Sequence, residues 1–180
     1  MANKVLQSQR AQTVVRTYET TDQGAVLHLY NNGLRTGQIA PNDTEGDGDI
    51  DNIHDTYLST ERNHFWVADY YDVVIGMIGV VCDEEHTAEI RCLRVEQAYQ
   101  HTHIAERLME TALAHCKHHG YLKIHLDTRF DPNDAVNLFD RFGFQHTRTK
   151  SLQNNDLLEF YLDLYRQSTS GVDQTNDISG

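Results

Sequence analysis

The run from Ala88 to His118 constrains this chain most: A-E-I-R-C-L-R-V, then E-Q-A-Y-Q-H-T-H-I-A, then E-R-L-M-E-T-A-L-A-H-C-K-H. Ile90, Cys92, Leu93 and Val95 make its first part a short apolar strand. Ile104, Ala105, Leu108, Met109, Ala112, Leu113 and Cys116 recur with the helical period and form one apolar stripe. A strand that turns directly into a helix leaves the first backbone N–H groups of that helix without intrahelical partners. They lie at the positive end of the dipole, so the turn is suited to an anion.

These residues carry a resemblance. The turn is similar to the Q/R-x-x-G-x-G/A loop of the GNAT superfamily of N-acyltransferases, with Gln100 at its first position, Ala105 at its last and His103 where a glycine is expected. A-V-N-L-F-D-R-F-G-F, from Ala135 to Phe144, resembles a second signature of that family, A-I-x-L-Y-E-K-x-G-F. H-F-W-V-A-D and V-V-I-G-M-I-G-V resemble its central hairpin. The four matches come in the family's order, and the likeness covers about residues 13 to 165.

The rest of the chain reads as β-α-α-β-β-β-α-β-α-β-β, a mixed α/β arrangement, and the resemblance implies a mostly antiparallel central sheet flanked by helices. Thr13 to Tyr18 is the first strand. Thr21 or Asp22 caps a helix that stops near Asn32-Gly33, and a second helix holds Ile50, Ile53, Tyr57 and Leu58. A hairpin crosses Tyr70-Tyr71-Asp72. Gly120 and Gly143 end two helices, and Asp131-Pro132 starts the second of them. Residues 1–12 read as a flexible N-terminus, 13–166 as a single domain and 167–180 as a disordered tail.

The net charge of −12 disfavours nucleic-acid phosphates and anionic membrane surfaces as partners and favours a cationic acceptor. No apolar run approaches the roughly 20 residues that span a bilayer, and no signal-peptide core opens the chain. A cytoplasmic protein is expected. Cys82, Cys92 and Cys116 lack C-x-x-C spacing and read as buried free thiols. A homodimer is left open.

The resemblance implies acetyl-CoA as acyl donor and transfer to a small-molecule, peptide or protein amine. Aminolysis of a thioester benefits from a general base, because an alkylamine is mostly protonated at neutral pH. Glu89 falls where one branch of the family has its catalytic glutamate; the alternative is that it balances Arg91 or Arg94, or is a solvated strand-edge charge. The family's usual acid, a tyrosine of the second signature, is replaced by Phe139, so either another donor serves (Tyr161 or water) or the reaction proceeds without one. Phe139 either lies against the pantetheine arm or packs the core. Leu93, Arg94 and Val95 are expected along the pantetheine, and His101, Thr102, His103, Ile104 and Ala105 with Gln100 at the pyrophosphate. His103 must point away or donate to a phosphate itself.

The acidic loop holding Asp49 and Asp51 suits a cationic amine. Part of it, from Asp43, has the spacing of a calcium loop, but His54 occupies the position of the bidentate glutamate. The histidines show no recognised metal-ligand spacing, and no metal is expected. The departures at His103 and Phe139 support an alternative, a catalytically weakened acyl-CoA-binding or sensing module.

Overall fold

A computed structural model describes residues 13–35, 47–100, 102–128, 132–151 and 156–165. Seven strands form one sheet: β1 (Thr13–Thr17), β2 (His64–Tyr70), β3 (Val73–Glu84), β4 (Thr87–Val95), β5 (Lys123–Thr128), β6 (Gln145–Ser151) and β7 (Asp156–Asp163). Their spatial order is β1-β2-β3-β4-β5-β7-β6. Every neighbouring pair is antiparallel except β4 with β5. A parallel pair needs a long crossover, and the helix α3 (Ile104–His118) lies in it. The other helices are α1 (Gln23–Arg35), α2 (Asp47–Asp51) and α4 (Pro132–Arg141). The element order is the one read from the sequence.

The sheet has a core on each face. On one side Leu108, Met109, Ala112 and Cys116 of α3 and Phe139 of α4 pack on Trp66, Ile78, Ala88, Ile90, Ile124 and Phe160. On the other, Val26 and Leu29 of α1 join Ile50, Ile53 and Tyr57 over Phe65, Val67, Met77 and Val81. Period-two alternation sends Phe65 and Val67 to one face and Trp66 and Ala68 to the other. β3 is buried on both faces, which explains its unbroken apolar run. The outermost strand β6 is exposed along its length, and its polar residues suit an edge.

Several local expectations shift. Helix α1 runs through Asn32-Gly33 as far as Arg35; one glycine costs a helix only about 1 kcal/mol. A short 3₁₀ turn precedes α1, where the Asp22 carboxylate accepts from the Glu19 backbone N–H at 2.8 Å, so Glu19 takes the capping position. The second helix divides into α2 and a wider π turn, His54–Leu58. That turn lays Tyr57 across Gly79, where a Cβ would stand 2.6 Å from the Tyr57 ring. Tyr71 and Asp72 make the hairpin turn with φ of 51° and 62°, and Gly120 and Gly143 take positive φ at the helix ends. The two expected chain-end tails and Asp43–Gly46 of the acidic loop lie outside the described residues.

Candidate active site

The parallel pair determines where a ligand could enter. β5 pairs with β4 only at Thr87, Ala88 and Glu89, facing Lys123, Ile124 and His125. β4 continues to Val95, while β5 turns its other edge to β7 from Lys123 to Thr128. Beyond Glu89 the backbone groups on that edge of β4 have no strand beside them among the described residues, and a wedge opens between the carboxyl ends of the two strands. α3 begins at the same end. Two residues of β4, Cys92 and Leu93, oppose Ile78 alone, because the register passes from Gly79–Arg91 to Met77–Arg94. This bulge places Cys92 at φ 56° and bends β4 beside the wedge.

The turn into α3 is built as an N-terminus open to a ligand. Thr102 Oγ1 donates to the Tyr99 carbonyl at 2.5 Å, and the Arg107 N–H donates to the carbonyl of His103, the residue before α3, at 3.0 Å. As at any helix start, the first N–H groups of α3 are the ones that lack intrahelical partners. His103 has φ −76° and ψ 9°, a conformation that does not require glycine. Its imidazole turns aside to Glu106, 2.9 Å away, and Arg141 of α4 reaches the other Glu106 oxygen at 2.5 Å. Hydrogen bonding from His103 is the main cause holding the Glu106 carboxyl below its ordinary range.

A charged row crosses the sheet face opposite α3. Arg91 donates through Nε to Glu89 Oε2 at 2.7 Å and through Nη1 to Asp49 Oδ2 at 2.6 Å. Partial burial works against the Arg91 charge, but the bonds to Glu89 and Asp49 outweigh it and raise its proton affinity. Tyr57 O–H approaches Asp49 at 3.4 Å and the Cys92 sulfur at 3.8 Å. Burial, then Cys92 and Asp49, push the Tyr57 phenol well up, so it stays protonated; burial likewise raises the Cys92 thiol. Next to this row lies an open cleft of about 380 Å³ lined by His125, Asp127, Thr147, Glu159, Phe160 and Tyr161. Wedge and cleft adjoin, since Glu89 stands opposite His125 and acts electrostatically on Asp127.

The sequence of residues 27–144 matches the model of the acetyltransferase (GNAT) family. The chain belongs to the GNAT acetyltransferase family. Human N-acetyltransferase 8 is 30% identical over 104 residues, covering 55% of this chain and 46% of that protein. The probable N-acetyltransferase camello of Xenopus tropicalis is 27% identical over 106 residues, 58% and 48% of the two chains. The matched part thus spans about half the length of these curated relatives. Among solved structures, a GNAT-family acetyltransferase from Staphylococcus aureus Mu50 superposes with a TM-score of 0.73 at 18% identity, covering 84% of this chain and 99% of that one. A putative acetyltransferase from Salmonella typhimurium, solved with its cofactor acetyl-CoA, gives 0.72 at 18% identity over 90% and 99%. The mixed, mostly antiparallel sheet flanked by helices is therefore the GNAT fold.

Within that GNAT framework the residues singled out from sequence separate into groups. Leu93 and Val95 lie on the part of β4 beyond the β5 pairing; Leu93 is largely buried, and its carbonyl accepts Arg94 Nη1 at 2.7 Å. Burial disfavours the Arg94 charge. Gln100, Thr102, His103, Ile104 and Ala105 lie at the approach to α3 and its first turn, with Ile104 facing the core; His101 lies outside the described residues. Phe139 is only 2% exposed and packs against Phe160 and Phe144, with ring centres 4.9 and 5.9 Å away. Glu89 accepts from Arg91. Tyr161 lines the cleft, and Asp51 is exposed on α2, away from the Arg91 bonds that hold Asp49.

Arg91, Tyr57, Asp127 and Glu159 had not been singled out for the site. Arg91 was within reach, because period two puts it on the same face as Glu89. The others depend on which strands part and which element folds over them. Among the described residues, no group of three His, Cys, Asp or Glu side chains could hold a metal ion.

Proposed function

We infer that the protein transfers an acetyl group from acetyl-CoA directly to a primary amine, and that the amine reaches the site as a cation. The observation that carries this reading is the wedge between β4 and β5, which opens beside the free end of α3 on one side and the Glu89–Arg91–Asp49 row on the other. The backbone of Leu93, Arg94 and Val95 would hold the pantetheine and polarise the thioester carbonyl. The first-turn N–H groups of α3, with Gln100, His101 and Thr102 leading into it, would hold the pyrophosphate. His103 fits this use, because its backbone conformation needs no glycine and its imidazole is drawn to Glu106.

The two carboxylates that share Arg91 leave that row one negative charge in excess, which attracts and orients an ammonium group. Asp51 extends the negative wall from α2. Tyr161, on the cleft wall, is the donor to the leaving sulfur. A module that binds acyl-CoA with little turnover is the second reading, favoured by Phe139, whose buried ring has no hydroxyl where the family usually has one. Acetyl-CoA should raise the melting temperature at millimolar concentration under either reading. Release of CoA thiol with a panel of primary amines separates them: amine-dependent release supports transfer, and its absence across cationic, neutral and anionic amines overturns it.

A further inference from the structure

We propose that Asp127, on β5, is the catalytic base that takes the proton from the acceptor nitrogen. This rests on the transfer reading above and assigns one step of it.

Four carboxylates surround the junction of wedge and cleft. Glu89 and Asp49 both accept from Arg91, at 2.7 and 2.6 Å. Glu159 pairs with Lys150 of β6. Among the described residues, no hydrogen bond or ion pair engages the Asp127 carboxylate, and its strand position is the second after His125, where pairing with β4 ends. A base needs a lone pair that is not already committed to a cation, and it must be reachable by the substrate. Asp127 meets both conditions: it lines the open cleft and stays accessible to solvent, yet is packed closely enough to lose part of its hydration.

The groups facing it set its proton affinity. Partial desolvation raises it most, followed by the charges of Glu159 on β7 and Glu89 on β4; Lys150 and His125 act in the opposite direction. Tyr161 completes the wall from β7. The net effect is upward, towards the neutral range where a general base works best.

In the step itself the ammonium first gives one proton to solvent, and the neutral amine then attacks the thioester carbon, forming a C–N bond as the carbonyl electron pair moves to oxygen. The nitrogen becomes cationic as it does so, and Asp127 takes one of its protons. The C–S bond then breaks with its electron pair going to sulfur, which takes a proton from Tyr161. Tyr161 recovers that proton from solvent, and Asp127 releases its own to solvent. The products are the N-acetyl amine and CoA thiol.

The test uses the full chain, acetyl-CoA and an amine that the wild-type protein acetylates, comparing Asp127→Asn, Asp127→Glu and Glu89→Gln. Asp127→Asn should lower kcat by roughly 10²–10⁴-fold, with an unchanged rise in melting temperature on adding acetyl-CoA. The acid limb of its kcat/KM profile should disappear, while Asp127→Glu recovers part of the rate. Glu89→Gln should keep the acid limb and raise the acceptor KM about tenfold, the loss of one charge-assisted contact worth about 1.4 kcal/mol. Asp127→Asn with near-normal kcat and the acid limb intact would overturn the assignment, as would loss of acetyl-CoA binding in that variant. If the wild-type protein acetylates no amine, the transfer reading fails first and takes this assignment with it.

Discussion

Two side chains at the site differ from what residue type alone suggests. His103 replaces a family glycine, yet its backbone is in a region open to any residue and its ring is tied to Glu106. Replacing His103 with glycine should therefore not tighten acetyl-CoA binding. The expected result by calorimetry is an equal or weaker affinity, because glycine adds backbone freedom at the helix start without removing an obstacle. Arg91 matters through its two partners, since without it Glu89 and Asp49 face each other unpaired. The pair is partly shielded, so Arg91→Ala should cost roughly 1–3 kcal/mol, between an exposed bridge and a buried one. Urea denaturation at pH 7 measures it. Glu89 could be picked out by counting back from the loop and Arg91 by alternation, but Asp49 is 42 residues from Arg91 and meets it only in the fold.

At the scale of elements, the strand–turn–helix from Ala88 to His118 was legible because its period fixes which residues are buried. Leu108, Met109, Ala112 and Cys116 are all buried as that stripe requires. The break in the second helix was not legible: Ile50, Ile53 and Tyr57 fit helical spacing equally well, and only the space over Gly79 draws Tyr57 into a wider turn. Gly79→Ala should displace Tyr57 and destabilise the protein by about 1–3 kcal/mol, the usual cost of overpacking; its melting temperature is the readout.

The C-terminal part of α3 carries another consequence. His115 lies against Trp66, His64 and His119, and one ring nitrogen meets the Arg62 carbonyl at 2.9 Å. Burial is the main cause that pushes its pKa down from 6.5 to about 4. The folded state thus binds its proton less readily than the unfolded chain. Its contribution to stability is full above about pH 6.5 and is lost as pH falls towards about 4. Urea midpoints between pH 7.5 and 4.5 should fall less steeply in His115→Gln than in the wild type.

For the molecule as a whole, the sequence carried the sheet's composition and element order, but not the event that makes a site. β4 and β5 part after Glu89, while β5 stays paired along its other edge with β7, a pairing between segments far apart in the chain. No local pattern marks that point. The same parting brings Asp127 and Tyr161 beside Glu89, which is why one was missed and the other was chosen without its neighbours. The left-handed backbone at Cys92 is equally silent in the sequence, since cysteine has no preference for it.

The central claim is direct transfer from acetyl-CoA to an amine. Its sharpest test is to follow isotopically labelled acetyl groups by mass spectrometry of both the acceptor and the intact protein during turnover. The account predicts one labelled acetyl on the acceptor nitrogen for each CoA thiol released, with none retained on the protein at any time. Label that first accumulates covalently on the protein, at Cys92 or elsewhere, or thiol release that does not depend on the amine, would contradict it.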